Sequence, residues 1–97
     1  MSDHRVLICD DHWIVRQAIR GRIDEIPGFE VVAEVGEGDS VIAAVREHRP
    51  DLLLIDVEMP GLNGIEAMAR VLSRWPEIRV LVFTAHEEDA LVRLAAR

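Results

Sequence analysis

The hydrophobic pattern of this 97-residue chain alternates regularly between strand-like and helix-like segments. Short apolar runs such as Val6-Leu7-Ile8-Cys9 and Leu52-Leu53-Leu54-Ile55 are typical of buried strands, and stretches with a period near 3.6 residues separate them. Because strands that alternate with helices pair in parallel through right-handed crossovers, the pattern predicts an α/β domain with helices on both faces of one sheet. The predicted strands are Arg5–Cys9, Phe29–Val35, Asp51–Asp56 and Arg79–Thr84.

Helices are predicted between and after these strands, and proline or glycine marks most of their ends. Pro27-Gly28 ends the first, Pro50 stops the second, and the third begins near Gly64 and is broken by Pro76. A fourth helix is expected over Glu87–Arg97. The positions expected to face the core are Val15, Ala18, Ile19, Ile23 and Ile26 in the first helix, Val41, Ile42 and Val45 in the second, Ile65, Met68, Leu72 and Trp75 in the third, and Leu91, Leu94 and Ala95 in the fourth.

Composition narrows the range of functions. The length suffices for one domain, and the formal net charge of -7 makes direct nucleic-acid binding by this segment unexpected. All 11 basic residues are arginine. No apolar run approaches the roughly 18 residues of a membrane span, and Cys9 is expected to be a buried structural thiol in a reducing compartment. We therefore expect a cytoplasmic domain without a membrane segment.

Carboxylates follow two of the predicted strands. Asp10 and Asp11 come directly after the first strand, and Asp56 ends the third. If these strands are parallel neighbours, the three acids converge at the carboxyl edge of the sheet, where open α/β sheets bind ligands. Clustered carboxylates that leave positions for water suit Mg²⁺, which prefers hard oxygen ligands.

Two further groups are expected at the same edge. The loop Met59-Pro60-Gly61 has a restricted shape that can aim the backbone carbonyl of Glu58 at the metal. Thr84 ends the fourth predicted strand, where its hydroxyl could bond an oxyanion. A carboxylate nucleophile, a cation and a hydroxyl group together describe phosphoryl transfer to an aspartate.

In this arrangement the chain resembles the receiver domain of bacterial two-component response regulators. The motifs that carry the resemblance are Asp10-Asp11, then Asp56 followed by Met59-Pro60-Gly61 and Gly64, and finally Thr84-Ala85. The segment Cys9-Asp10-Asp11-His12, followed by Val15-Arg16, is similar to the NarL-type subfamily, which joins receivers to a LuxR-like helix-turn-helix output domain.

The resemblance implies a flavodoxin-like (CheY-like) sheet of order 2-1-3-4-5 and gives each site residue a role. Asp56 would be the phosphoacceptor, and Thr84 would bond the phosphoryl group. Asp11, Asp56 and the Glu58 carbonyl would ligate Mg²⁺, with Asp10 contributing through water. The implied partner is a sensor histidine kinase, and homodimerisation is an open possibility. The implied output is transcription, with DNA contacted only through an output domain, and the chain would catalyse at most its own phosphorylation and dephosphorylation.

The chain departs from the receiver pattern in one respect. Receivers carry a lysine at the end of a fifth strand and then a fifth helix, and this sequence contains no lysine. Residues 1–97 are therefore expected to be a receiver domain that is incomplete at its C-terminal end. The missing elements would lie in a longer protein, come from another chain or be naturally absent.

Two alternative functions stay open. One is a receiver-like interaction module that works without phosphorylation, and the other is a Mg²⁺-dependent phosphatase acting through Asp56. His4, His12 and His48 are interpreted as surface residues rather than metal ligands, because no second histidine or cysteine stands at ligand spacing.

Overall fold

The computed structural model describes residues 3–83 and 92–95. The elements in chain order are β1 (His4–Cys9), α1 (Trp13–Asp24), β2 (Phe29–Val35), a short 3-10 turn (Gly38–Ser40), α2 (Val41–His48), β3 (Leu52–Asp56), α3 (Gly64–Arg74), β4 (Arg79–Phe83) and β5 (Val92–Ala95). Among the helices in these ranges, none is long and apolar enough to cross a bilayer.

One sheet of order β2-β1-β3-β4-β5 organises the chain. The first four strands in that order pair in parallel, which confirms the expected flavodoxin-like arrangement. Cys9 at the end of β1 pairs with Ile55, and Asp56 at the end of β3 pairs with Phe83. The β1 and β3 strands therefore end at the same edge of the sheet.

The core has two layers, one on each face of this sheet. Successive side chains of a strand point to opposite faces, so Leu7 and Cys9 of β1 pack under α2 and α3. Val6 and Ile8 pack on the other face with Ile23 of α1. Burial on both faces is what the continuous apolar runs of β1 and β3 predict for a parallel sheet.

The inward face of α3 differs from the predicted one. Ile65, expected in the core, is 48% exposed, and Gly64, Ala67 and Val71 are the buried positions. The small residues let the helix approach the sheet closely, since a Cβ atom on Gly64 would lie 2.2 Å from the backbone oxygen of Asp56. Met68, Leu72 and Trp75 are partly buried at the margin of this contact.

The inward face of α1 is also narrower than predicted. Ile23 is buried and Ile19 packs against it, but Ala18 is exposed, and Ile26 is 45% exposed. Ile26 lies beyond Asp24, where α1 ends, in the turn that leads into β2. The hydrophobic periodicity from which the first helix was predicted therefore continues past the residue where α1 ends.

The prediction of a fourth helix is wrong for Val92–Ala95. These residues form β5, which pairs antiparallel with β4 in the register Phe83 to Val92 through Val80 to Ala95. The edge of β4 presents unpaired backbone N–H and C=O groups, and a strand satisfies them where a helix cannot. The remaining residues of the predicted helix, 87–91, 96 and 97, lie outside the described ranges.

Candidate functional site

Three acids meet at the carboxyl edge of the sheet. Asp10 and Asp56 are fully buried, whereas the side chain of Asp11 is 32% exposed. Asp10 follows β1 and keeps its place at the sheet through a 3.0 Å hydrogen bond from its N–H group to the carbonyl of Val35. One oxygen from each acid and one ring nitrogen of His12 all lie within 4.8 Å of one another. The structure therefore brings together the three acids that the strand ends predicted.

The two buried carboxylates are oriented by local backbone groups. Asp56 Oδ1 accepts a 3.1 Å hydrogen bond from the N–H group of Glu58, and Asp10 Oδ1 accepts one of 2.8 Å from that of His12. Asp10 Oδ2 is buried and has no hydrogen-bond partner among the described residues. A buried polar atom without a partner is costly, and a cation is one group that would satisfy it.

This donor set fits Mg²⁺. Three carboxylates supply the hard oxygen ligands that the ion prefers, and the exposed edge of Asp11 leaves room for the waters that it retains. The backbone carbonyl of Glu58 was also predicted from the sequence to be a ligand. Glu58 lies beside Asp56 in the loop that follows β3, and the ligand role of its carbonyl stays a prediction.

The loop after β3 is shaped as its sequence indicates. Gly61 has a positive φ of 78°, a conformation that glycine adopts without strain, and Asn63 begins α3 by accepting a 2.9 Å hydrogen bond from the N–H group of Glu66. The loop borders an open cavity of about 650 Å³, which Asp11, Glu58 and Ile65 also line. Of the three acids, Asp11 is thus reachable from solvent on the side of α3.

Sequence reasoning missed a charged group behind Asp10. Arg16 of α1 donates a 2.7 Å hydrogen bond from Nη1 to the backbone carbonyl of Asp10 and a 3.0 Å bond from Nε to Glu34 Oε1. Arg20 pairs with the other oxygen of the same carboxylate. Burial opposes ionisation of Glu34, but the hydrogen bonds from Arg20 and Arg16 outweigh it, and the pKa of Glu34 is lowered.

His12 is the second group that sequence reasoning missed. Its Nδ1 lies 3.0 Å from Asp10 Oδ1 and 3.0 Å from Asp11 Oδ1, and its side chain is 42% exposed. The hydrogen bond to Asp10, followed by the charges of the nearby aspartates, raises the pKa of His12. The sequence did hold a signal for this proximity, because His12 directly follows the acid pair.

Two other residues from the sequence analysis have different outcomes. Cys9 is buried at the end of β1, and burial followed by the charge of Asp10 raises the pKa of its thiol. Thr84 lies outside the described residues, so its contact with a phosphoryl group stays a prediction.

Comparison with known proteins gives concordant matches. A family model described as the response regulator receiver domain matches residues 6–97. The response regulator GacA of Pseudomonas aeruginosa is 41% identical over 85 residues, which are 88% of this chain and 40% of GacA. The chain spans 37–40% of the length of such curated relatives.

Solved structures agree with these matches. A two-component response regulator of the LuxR family from Aurantimonas sp. SI85-9A1 superposes with a TM-score of 0.82 at 37% identity, covering 89% of this chain and 61% of that one. The isolated receiver domain of RcsB from Salmonella enterica serovar Typhimurium, solved with the phosphomimetic BeF3-, gives a TM-score of 0.81 at 27% identity. That match covers 90% of this chain and 65% of the RcsB domain.

Proposed function

This chain belongs to the response regulator receiver domain family, and from that membership we propose that it is the phosphoacceptor switch of a two-component system. Asp56 would receive a phosphoryl group from the phosphohistidine of a sensor histidine kinase. The observation that carries the proposal is the placement of Asp56, fully buried at the end of β3, with Asp10 and Asp11 inside one cluster of possible ligands.

The chemistry assigns Asp56 the role of nucleophile. One carboxylate oxygen attacks phosphorus, a P–O bond forms, and the P–N bond of the phosphohistidine breaks with its electron pair returning to the imidazole. The Glu58 N–H group holds Asp56 Oδ1 and so limits rotation of the carboxylate during this step. Asp11, Asp56 and the Glu58 carbonyl would hold Mg²⁺, with Asp10 contributing through water, and the bound ion would supply positive charge that offsets the charge of the phosphoryl oxygens.

The cellular setting of this switch is also a proposal. We place it in the cytoplasm, with transcription as the controlled output and DNA contacted by a segment other than this one. The net charge of -7 supports that division, because an acidic surface is repelled by the phosphate backbone. Homodimerisation of the phosphorylated form is compatible with this role.

A phosphodonor experiment tests the proposal. The purified protein is incubated with Mg²⁺ and acetyl phosphate, and its intact mass is measured. We expect a gain of one phosphoryl group that is lost in Asp56→Asn and kept in Asp24→Asn, since Asp24 is exposed at the end of α1. If the unsubstituted protein gains no mass from either acetyl phosphate or its kinase, the proposal fails and the phosphorylation-independent interaction module is favoured.

A further inference from the structure

His12 stands where a metal ligand would stand, although no role was expected for it. We propose that His12 is a fourth ligand of the cation site, and that its imidazole raises the preference of this three-carboxylate site for first-row transition-metal dications such as Mn²⁺ and Co²⁺ over Mg²⁺. The inference rests on the proposed function, since it concerns the same acids, and it adds a ligand and a class of metal to them.

The distances support coordination by the imidazole. His12 Nδ1 is 3.0 Å from one oxygen of Asp10 and 3.0 Å from one of Asp11. Two ligands bonded to a metal at about 2.0–2.2 Å lie at most about 4.4 Å apart. All four possible ligand atoms lie within 4.8 Å of one another, which is only a few tenths of an ångström above that limit.

The ring is also held in place by its own backbone. The N–H group of His12 donates to the same Asp10 oxygen that its Nδ1 contacts, at 2.8 Å and 3.0 Å. This local turn keeps the imidazole beside the acids and lowers the entropy cost of recruiting it. The second, independent sign of a ligand is Asp10 Oδ2, which is buried and has no hydrogen-bond partner among the described residues.

The chemistry of the donors determines which metals gain from His12. Mg²⁺ prefers oxygen ligands, whereas an imidazole nitrogen suits the first-row transition metals, whose affinity for a given site rises from Mn²⁺ to Co²⁺ and beyond. Three carboxylates alone would already bind Co²⁺ more tightly than Mg²⁺. The contribution specific to His12 is therefore the change in the ratio of the two affinities when the imidazole is removed.

Two measurements on the purified protein test the inference. Pulsed electron paramagnetic resonance of bound Mn²⁺ detects the ¹⁴N coupling of a directly coordinated imidazole. Calorimetric titration gives the dissociation constants of Mg²⁺ and Co²⁺, and their ratio cancels any general effect of a substitution on the acids. His12→Gln is compared with His48→Gln, since His48 ends α2 beyond the acid cluster, and circular dichroism checks that both variants are folded.

The expected result is ¹⁴N coupling in the unsubstituted protein and in His48→Gln but not in His12→Gln. The preference for Co²⁺ over Mg²⁺ should fall about tenfold in His12→Gln. Coupling that persists in His12→Gln, or an unchanged ratio, would overturn the inference.

Asp11→Asn separates this inference from the proposed function. Mg²⁺ binding that requires Asp11, without ¹⁴N coupling to Mn²⁺, would overturn the role of His12 and leave the proposed cofactor intact. Coupling to Mn²⁺ without detectable Mg²⁺ binding would sustain the role of His12 and contradict the proposed cofactor. Failure of both ions to bind would overturn both.

Discussion

Arg16 donates a 2.7 Å hydrogen bond from its guanidinium group to the backbone carbonyl of Asp10. The N–H group of Asp10 is held at the same time by the carbonyl of Val35. Both backbone groups of this buried acid are therefore fixed, one by α1 and one by β2. The direction of the Asp10 carboxylate follows from this fixed backbone, and Arg16 is a positioning residue for the cation site.

Removal of Arg16 should weaken the cation site. We expect Arg16→Ala to lower the Mg²⁺ affinity about tenfold, the lower end of what outer-sphere groups contribute at metal sites. Arg16→Lys should recover only part of the loss, because an ammonium group cannot bond the Asp10 carbonyl and Glu34 with one planar fork. Calorimetric titration measures the affinity, and Arg22→Ala in the last turn of α1 is the control. A lower melting temperature with unchanged Mg²⁺ affinity would show that Arg16 serves stability alone.

The stability that Glu34 contributes should depend on pH. Its pKa is lower in the folded state than the ordinary value, so its contribution is fully present above the unfolded pKa of 4.5 and is lost as the pH falls through the folded pKa. We expect Glu34→Gln to be about 1 kcal/mol less stable at neutral pH, the upper range for a surface ion pair. Urea unfolding at neutral and acidic pH should show this difference shrinking in acid.

Exposed Glu30 on the same strand is the matched control for Glu34. Glu30→Gln should change the free energy of unfolding little at any pH. A difference between the unsubstituted protein and Glu34→Gln that stays constant across the acid range would contradict the assigned ion pairs.

Gly64 should tolerate no side chain. The Cβ atom of an alanine would lie 2.2 Å from the Asp56 carbonyl oxygen, so α3 would have to move away from β3, and we expect Gly64→Ala to lose about 2–3 kcal/mol in the free energy of unfolding. Gly21→Ala is the matched control, because a Cβ atom there meets nothing within 4 Å. Because Gly21 lies in the interior of α1, Gly21→Ala should gain about 0.5–1 kcal/mol in the free energy of unfolding. Equal urea midpoints for the two variants would contradict the close packing of α3.

Removal of the cation should lower the melting temperature. A ligand that binds only the folded state stabilises it, and Mg²⁺ at tenfold its dissociation constant should contribute about 1.4 kcal/mol. Thermal unfolding with Mg²⁺ and with excess EDTA measures the difference. Asp11→Asn should abolish the response, since its carboxylate oxygen belongs to the ligand cluster. If Mg²⁺ raised the melting temperature of Asp11→Asn by the same amount, the ion would bind elsewhere on the protein.

The strand ends explain why the acid cluster could be predicted from the sequence. Continuous apolar runs identify β1 and β3, and their parallel direction follows from the alternation with helices. The resemblance to receiver domains implied the strand order that makes them neighbours, and acids at the ends of neighbouring parallel strands meet. The start of α3 could be predicted equally well, because Asn63, three residues before Glu66, is a residue type that caps helices.

Contacts that depend on register and on side-chain direction could not be predicted. The link from Arg16 to Glu34 joins α1 to β2, and the pairing of β1 with β2 shifts by one residue between Val6 and Leu7. That shift decides which side chains of β2 face α1, and nothing local in the sequence marks it. The β5 pairing was missed for a related reason, because Leu91, Leu94 and Ala95 fit a helical period and only the edge of β4 favours a strand.

The buried thiol of Cys9 gives experimental access to motions of β1, an interior strand of the sheet. Cys9 is the only cysteine in the sequence, and its raised pKa and complete burial keep it protonated and shielded in the closed protein. Because only an accessible thiolate reacts with alkylating reagents, the labelling rate of Cys9 measures how often β1 opens beside Asp10. The same chain, without any substitution, can therefore report whether a cation or a phosphoryl group at the sheet edge slows that opening.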